Sequence, residues 1–283
     1  MTTAIMSKKQ DKKDRKAKVS MAAKHDRHVL YQESVQCVEA EIDFVDETFK
    51  DLRGRHAELI REDFCGTCNT SCEWTRRRPT NRAICVDFDA EVLEWGRKNN
   101  ISILPEAAQN RLTVVQDDVL TVRTDPVDAV LAMNFSYFCF KTRDQLRAYF
   151  KGVRDSLIDD GILFMDCYGG YEACQDIVEE RKIDRKFKYV WEQDDFDPIS
   201  NTLRCYIHFN FKDGSKMKRA FSYEWRMWSL PEIRELLAEA GFSRSTVYWE
   251  GAEEDSEEGN GVFEPVDRTE NDPSWVAYIV AER

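Results

Sequence analysis

The stretch 58–89 constrains the fold of this chain more strongly than any other part of its sequence. It predicts a short apolar strand, a tight turn of small residues at 64–67, a helix that Pro79 ends, and a second apolar strand at 83–86 followed directly by Asp87. In doubly wound nucleotide-binding folds, a carboxylate at this position, roughly 20 residues beyond a small-residue turn, contacts the ribose hydroxyls. We therefore expect an α/β fold with a site for a nucleoside-containing ligand.

The turn narrows the choice of ligand. Dinucleotide sites need several glycines so that a pyrophosphate can reach a helix N-terminus, whereas this turn contains only Gly66 and is preceded by Glu62. A carboxylate at that point repels a pyrophosphate and attracts a cation, for instance a ligand that carries sulfonium and ammonium groups. The sequence therefore disfavours an NAD-dependent oxidoreductase.

The same turn resembles motif I of class I S-adenosylmethionine-dependent methyltransferases. That motif has the form acid-x-G-x-G-x-G, and its positions fall at Glu62, Phe64, Gly66 and Cys68 in this sequence. Two of the glycine positions differ, because they hold Phe64 and Cys68, while the acid, the central glycine and the downstream Asp87 agree. The resemblance implies S-adenosyl-L-methionine as the cofactor.

The resemblance also implies where the adenosine part of the cofactor would bind. In this family an apolar residue after the ribose carboxylate covers the adenine, and that position falls at Phe88, for which core packing is the alternative. An acid after the third strand binds the adenine amino group. This position falls at Asp118 or, with a one-residue shift, at Asp117, next to Val119, unless the two acids simply form a surface turn.

The fourth predicted strand, 127–133, should end beside the transferable methyl group, because open α/β sheets bind ligands at the carboxyl ends of their strands. The resemblance implies that Met133 and Asn134 contact the methionine part, as would Tyr31 unless it only packs with its hydroxyl outward. Tyr137 is the candidate catalytic residue, as a contact to the methyl acceptor. The predicted cofactor-binding residues are Tyr31, Glu62, Phe64, Cys65, Gly66, Thr67, Asp87, Phe88, Asp117, Asp118, Val119, Met133 and Asn134.

The order of the predicted elements gives an α/β fold with a doubly wound, seven-stranded sheet. Five strands separated by helices predict a parallel arrangement. Two further strands, at 245–250 and 274–282, match the antiparallel hairpin that closes the sheet in the methyltransferase family and is absent from dinucleotide-binding folds. We expect the methyltransferase domain to span 24–283.

Two additions to this sheet are predicted. Apolar residues at three- to four-residue intervals predict an N-terminal helical prelude at 24–53. Alternating apolar and polar residues around an Asp-Gly turn predict an antiparallel β-hairpin insert at 187–227, after strand five. Class I methyltransferases that act on small molecules often carry such an insert over the active site.

The aromatic residues of the insert would line an acceptor pocket, although alternation points about half of them away from it. These residues are Trp191, Tyr206, Phe209, Tyr223, Trp225 and Trp228. Arg226 would bind an acceptor carboxylate unless it is a surface residue.

Charge limits the partners of the chain. The net charge is −12, and the lysine-rich segment 1–23 is predicted to be a disordered basic tail, so the rest of the chain is still more acidic. Such a surface disfavours nucleic acid as a partner and suits a small or basic substrate. The acidic loop 251–273 either steers a cationic acceptor, such as an amine, or only adds solubility.

The cysteines and the hydropathy pattern indicate an intracellular protein. The nine cysteines are an odd number, which fits reduced thiols better than a disulfide framework. Cys65, Cys68 and Cys72 lack a fourth ligand at a metal-site spacing, so no metal is predicted. The sequence contains no apolar run of about 18 residues and therefore no predicted membrane span. A cytoplasmic location follows, with a nuclear one if the basic tail acts as an address.

These observations predict S-adenosylmethionine-dependent methyl transfer to a small-molecule acceptor, with a cation as one candidate. No histidine lies in the predicted site turns, so we assign no general base. The alternative is a catalytically inactive S-adenosylmethionine-binding protein with a regulatory or interaction role. This alternative stays open because Phe64 and Cys68 replace two glycines of motif I.

Overall fold

Helices and strands alternate through the first part of the chain. The computed structural model describes residues 19–252 and 259–283. The first elements are α1 (Arg27–Ser34), α2 (Val38–Arg53), β1 (Leu59–Asp63), α3 (Asn69–Arg77), β2 (Arg82–Asp87), α4 (Ala90–Gly96), α5 (Glu106–Gln109), β3 (Leu112–Gln116), β4 (Val127–Ala132), α6 (Arg143–Ser156) and β5 (Leu157–Gly169). They are followed by β6 (Ile177–Ile183), β7 (Phe187–Asp197), β8 (Thr202–Phe211), β9 (Lys216–Arg226), α7 (Leu230–Glu239), β10 (Arg244–Ala252), β11 (Gly259–Val266) and β12 (Trp275–Glu282).

The main sheet confirms the predicted α/β fold. Its strand order is β11-β10-β12-β5-β4-β1-β2-β3. Strands β1 to β5 are parallel, whereas β12 pairs antiparallel with both β5 and β10. The predicted closing hairpin is therefore formed by β10 and β12, and the carboxyl ends of β1 to β4 meet at one edge.

One strand of the main sheet lies where the sequence predicted a loop. Strand β11, within the acidic segment 251–273, pairs antiparallel with β10 and makes an eighth strand at the sheet edge. Its Phe263 packs against Tyr278, with ring centroids 4.4 Å apart, and against Phe44 at 6.0 Å. The excess of acidic residues hid this strand from sequence analysis. Residues 253–258 lie outside the described part of the chain.

The insert is a separate four-stranded antiparallel sheet in the order β6-β7-β8-β9. The prediction covered β7 to β9 but not β6. Most of the β6 side chains are exposed and charged, so the strand lacks the apolar alternation that identifies a strand in a sequence. The insert joins the main core through Leu203, Cys205 and Trp225.

The N-terminal helices connect the two sheets. On α2, Ile42, Val45 and Phe49 form a buried stripe against the main sheet, and the helix ends at Gly54, whose φ of 67° suits glycine. Leu30 of α1 instead packs with Phe209 and other residues of the insert. The predicted prelude at 24–53 is thus two helices that pack against different sheets. Residues 1–18 of the predicted tail lie outside the described residues, and none of the described helices is long and apolar enough to cross a membrane.

Candidate functional site

The turn after β1 is held against β2 by its backbone. The N–H of Gly66 donates a hydrogen bond of 2.8 Å to Oδ2 of Asp87, and the N–H of Cys65 donates one of 3.0 Å to the carbonyl of Val86. A Cβ atom at Gly66 would meet no heavy atom within 4 Å, but the φ of +50° strains any other residue. The turn therefore presents backbone to open space, as a ligand-binding turn requires.

The two substituted glycine positions keep a glycine-like backbone. Phe64 has a φ of 56° and Cys68 a φ of 59°, both in the left-handed region. This conformation costs a residue with a side chain about 1–2 kcal/mol. The Phe64 ring packs against Phe140 and Tyr149, at centroid distances of 6.0 and 5.7 Å, and this burial offsets part of the cost. Both positions thus have a backbone conformation that glycine adopts without this cost.

Neighbouring elements hold Thr67 at the other side of the turn. Its hydroxyl accepts a 2.8 Å hydrogen bond from Nε2 of Gln32 on α1, and its carbonyl accepts one of 2.8 Å from Nδ2 of Asn100. Cys68 is the N-terminal cap position of α3. Three separate segments therefore fix the geometry of the turn.

Asp87 is oriented by two backbone donors. Its Oδ2 accepts from Gly66 and its Oδ1 accepts a 2.9 Å hydrogen bond from the N–H of Asp89. Burial raises the pKa of Asp87, although these two N–H groups act in the opposite direction. An ionised carboxylate has about four lone-pair sites, so both oxygens retain capacity for ribose hydroxyls. The prediction for Asp87 is compatible with this geometry and stays a prediction.

The residues predicted around the adenine lie next to Asp87. Phe88 is 73% exposed although its ring is apolar. The N–H of Asp117 donates a 3.1 Å hydrogen bond to the Asp87 carbonyl, which connects the ends of β2 and β3. Asp118 is exposed and its Oδ1 accepts from the Leu120 N–H at 2.9 Å, while Val119 is buried. These residues surround one small region at the sheet edge.

Glu62 points into the N-terminus of α3. Its buried Oε2 accepts a 2.9 Å hydrogen bond from the N–H of Ser71 and a short one from the Ser71 hydroxyl. Burial, followed by the nearby Cys85, raises the pKa of Glu62 to about 8. The side chain thus stabilises the helix that follows the turn. If Glu62 contacts the cofactor as predicted, the contact would be made by its other carboxylate oxygen, Oε1.

Strand β4 ends in two consecutive left-handed residues. Asn134 and Phe135 have φ values of 58° and 56°, and their N–H groups donate to the two carboxylate oxygens of Asp166 at 2.7 and 2.8 Å. Non-glycine residues rarely adopt this conformation, and such strain clusters at functional sites. Burial raises the pKa of Asp166 to about 7, although the N–H of Phe135 lowers it. Sequence analysis missed Asp166, whose signal was an acid inside the apolar run of β5.

The structure does not bring Tyr137 to the surface of a cavity. Its side chain is fully buried, and its hydroxyl donates a 2.7 Å hydrogen bond to the backbone carbonyl of Asp166. Met133 is also buried, in the core beside β1. Tyr31, unlike Tyr137 and Met133, forms part of a cavity wall. Its ring lies 4.9 Å from that of Phe221 on the insert.

A cavity of about 500 Å³ lies between the carboxyl edge of the main sheet and the insert. Of the six predicted wall aromatics, Trp191, Tyr223 and Trp225 line it. Phe209 and Trp228 are buried outside its wall, and Tyr206 lies under the guanidinium of Arg219. Arg226 is also outside the wall, with its guanidinium 3.8 Å from the Trp228 ring centroid. Further lining residues that the argument uses are Tyr31, Asn134, Phe135, Tyr168, Glu172, Glu179, Glu180, Arg181 and Tyr189.

The cavity and the predicted cofactor site are adjacent. Tyr31 and Asn134, both predicted to contact the methionine end of the cofactor, belong to the cavity wall. Over the described residues, no group of three or more histidine, cysteine or acidic side chains is arranged to hold a metal ion. Cys65 and Cys68, whose Sγ atoms are 3.7 Å apart, lie in a buried cluster with Cys85 and Leu93.

Several solved structures of similar shape are methyltransferases. A methyltransferase dependent on S-adenosylmethionine from Clostridium acetobutylicum superposes with a TM-score of 0.66 at 16% identity, covering 90% of this chain and 96% of that one. CalS10, an amino pentose methyltransferase from Micromonospora echinaspora that was solved with bound S-adenosylmethionine, gives 0.64 at 15% identity, with 90% and 95% covered.

The sugar N-methyltransferase KedS8 from Streptoalloteichus gives a TM-score of 0.60 at 14% identity, with 100% of this chain and 98% of that chain covered. A scan against protein-family models finds no match, and a search of curated proteins finds no significant match. The likeness therefore lies in the three-dimensional structure. From β1 to β12, this chain has the fold of the class I S-adenosylmethionine-dependent methyltransferases.

Proposed function

We propose that this protein transfers a methyl group from S-adenosyl-L-methionine to a small-molecule acceptor held in the cavity between the two sheets. The observation that supports this proposal best is that Tyr31 and Asn134 belong both to the predicted cofactor site and to the cavity wall. An acceptor in the cavity would therefore lie next to the methionine end of the cofactor. The amino pentose methyltransferase and the sugar N-methyltransferase among the similar structures support this kind of acceptor.

The residues of the chain mainly align the reactants. The cofactor supplies a methyl group that is already activated on a sulfonium, so transfer needs an in-line approach of the acceptor more than acid or base assistance. The turn around Gly66 and the carboxylate of Asp87 would hold the adenosine. The Asn134–Phe135 backbone, fixed by Asp166, would set the position of the methyl group relative to the cavity.

Isothermal titration calorimetry with S-adenosylmethionine, S-adenosylhomocysteine and NADH tests the cofactor assignment. We expect micromolar binding of both adenosyl ligands and no saturable binding of NADH. Absence of adenosyl binding would refute the proposal. Binding without turnover of any acceptor would favour the non-catalytic role that the altered glycine positions left open.

The cysteines support a location for this activity. All nine are unpaired in the structure, and Cys65, Cys68 and Cys85 surround the cofactor turn. Reduced thiols persist in the cytoplasm, where we propose that the protein acts. Fractionation of cells that produce the tagged full-length chain tests this location. Recovery of the chain in the nuclear fraction would indicate that the basic N-terminus acts as a nuclear-localisation signal.

A further inference from the structure

We propose that two copies of this chain associate through β6, the edge strand of the insert, and that their insert sheets join into one continuous antiparallel sheet. The two β6 strands run antiparallel about a two-fold axis at Glu180. This inference goes beyond the proposed function and does not depend on it, because it concerns the edge of the insert. It follows from three properties of β6: an unpaired backbone edge, exposed apolar side chains and a charge pattern that is complementary to itself.

One side of β6 has backbone groups that are free to pair with another strand. The order β6-β7-β8-β9 places β6 at the edge of the insert sheet, and its residues Ile177–Ile183 pair with β7. Among the described residues, no segment other than β7 forms a backbone hydrogen bond with residues 177–182. Antiparallel pairing directs alternate N–H and C=O groups to opposite sides of a strand, so about half of these groups face away from β7. Such an edge is a template for another strand.

The apolar side chains of β6 would gain cover from a second strand. Val178 is 63% exposed although it is apolar, and Ile177 and Ile183 are only half-buried. A strand that adds to the edge lies beside the side chains on both faces of β6 and removes part of their apolar surface from water.

The charges of β6 select a second copy of the same strand as the partner. An antiparallel pair centred on Glu180 places Glu179 opposite Arg181 of the second copy, and Arg181 opposite its Glu179. The same register places Ile177 opposite Ile183. Side chains that lie directly opposite each other have Cβ atoms about 4.5–5.5 Å apart, so opposite charges and apolar pairs at these positions stabilise the sheet.

Neighbouring registers lose these pairs. If the centre moves by one residue, either Glu179 or Arg181 lies opposite its own copy, which places like charges together. Ile177 then lies opposite an arginine instead of Ile183. The side-chain pattern therefore favours the register centred on Glu180.

Glu179 and Arg181 are available for pairing between copies. Among the described residues, neither of them takes part in an ion pair, whereas their neighbours Lys186 and Lys188 do. Arg181 donates one hydrogen bond to the Ser34 carbonyl and lies over the Tyr189 ring. A guanidinium has five N–H donors, so Arg181 keeps donors for a carboxylate of the second copy.

Glu180 lies on the two-fold axis and meets its own copy there. Its Oε2 is paired with Nζ of Lys188 at 2.6 Å, and its Oε1 accepts a 3.3 Å hydrogen bond from Nδ2 of Asn210. Each Glu180 is therefore neutralised within its own chain, which reduces the repulsion between the two copies.

The interface is next to the cavity. Ile177, Glu179 and Arg181 belong to the cavity wall as well as to β6, so pairing of the two β6 strands would fix one side of each cavity. Because both copies use the same strand, the interface is isologous and closes as a dimer.

Exchange of the opposite charges tests the interface in the full-length protein. The variants are Glu179→Arg, Arg181→Glu and the double exchange, and the readout is sedimentation velocity over a range of protein concentrations. We expect a wild-type dimer and at least about 10-fold weaker association of each single variant, because each places like charges opposite each other. The double variant should associate like the wild type, and an equimolar mixture of the two single variants should form a heterodimer.

Lys218→Glu is the matched control for Arg181→Glu. It makes the same change of charge on β9, at the opposite edge of the insert sheet, and should leave the dimer unchanged. Thermal unfolding of each variant confirms that the chain is folded.

Disulfide cross-linking tests the register. In the proposed pair, the two copies of residue 180 lie opposite each other with Cα atoms about 4.5–5.5 Å apart, within the range of a disulfide. The two copies of residue 178 are separated by four residues along the strand, about 13 Å. Glu180→Cys should therefore form a cross-linked dimer under oxidising conditions and Val178→Cys should not, with the wild type as the reference because Cys37, Cys139 and Cys174 are exposed.

Four results would overturn the inference: a wild type that is monomeric at every concentration, single variants that dimerise like the wild type, a folded double variant that does not recover association, or preferred cross-linking of Val178→Cys over Glu180→Cys. None of these results bears on cofactor binding, which calorimetry measures separately.

Discussion

Replacement of Asp166 by asparagine tests whether the strained end of β4 organises the site. The carboxylate accepts from the N–H groups of Asn134 and Phe135 at 2.7 and 2.8 Å. An asparagine of the same shape offers one acceptor oxygen, so its amide group faces the second N–H. The loss of one hydrogen bond to a charged acceptor costs about 1.5–3 kcal/mol.

A second effect of the same substitution has the opposite sign. Burial raises the pKa of Asp166 from 3.8 to about 7, so ionisation of the folded protein at pH 8 costs ~4 kcal/mol at 1.36 kcal/mol per unit. Asparagine does not incur this cost. At pH 5 the folded Asp166 is protonated and already resembles an amide. We therefore expect Asp166→Asn to change overall stability little, while releasing the left-handed conformation of Asn134 and Phe135.

The expected result is a loss of function without a loss of fold. Asp166→Asn should weaken S-adenosylmethionine binding or lower kcat/KM about 10- to 100-fold at pH 8, corresponding to about 1.4–2.8 kcal/mol, with a melting temperature within a few degrees of wild type. Calorimetry and thermal unfolding provide the two measurements. A variant with wild-type affinity and turnover at pH 8 would show that this backbone conformation does not matter for function.

Three further predictions concern the cofactor turn and the buried acids. Asp87→Ala should weaken S-adenosylmethionine binding by about 1.5–3 kcal/mol, since a charged hydrogen-bond acceptor is lost, and unchanged affinity in titration would show that Asp87 does not contact the ribose. Gly66→Val should abolish detectable binding, because a branched side chain at a φ of +50° both strains the turn and occupies the open space before it; retained binding would place the ligand elsewhere. Because burial raises the pKa of Glu62 to about 8 and of Glu41 to about 7, the folded protein binds protons more tightly than the unfolded chain between about pH 5 and 8, so their contribution to the unfolding free energy falls as pH rises through this range. Urea unfolding should show a shallower fall between pH 5.5 and 8 for Glu62→Gln than for wild type, and parallel curves would contradict the assignment.

The local signals in the stretch 58–89 predicted much of the site. A strand, a small-residue turn, a helix and a second strand that ends in an acid are all encoded within about 30 contiguous residues, and short-range periodicity and turn chemistry are what sequence analysis detects best. The N–H of Gly66 and the carboxylate of Asp87 do lie together, as this pattern indicated. Their binding of the cofactor stays a prediction.

The elements that sequence analysis missed are strands whose residues lack the apolar alternation expected of a strand in a sheet. Strand β6 is charged, and β11 contains two glycines and a proline within an acidic segment, so neither shows the alternation of a half-buried strand. Each pairs with the edge of a neighbouring strand. Tyr137 follows β4 as an acceptor contact would, but its ring fits into the core. The hydroxyl of this buried residue donates to the backbone carbonyl of Asp166, a contact between residues 29 positions apart that the local sequence does not report.

The sequence by itself determined the fold class and the position of the small-residue turn after β1, because both follow from patterns of residues close along the chain. Only the tertiary structure decided which groups line the cavity between the two sheets. Tyr168, Trp225 and Glu179 come from three different strands, and Asp166 meets Asn134 across 32 residues. Side chains distant in sequence come together only when the two sheets pack against each other. That packing depends on many weak contacts, and no single sequence motif predicts them.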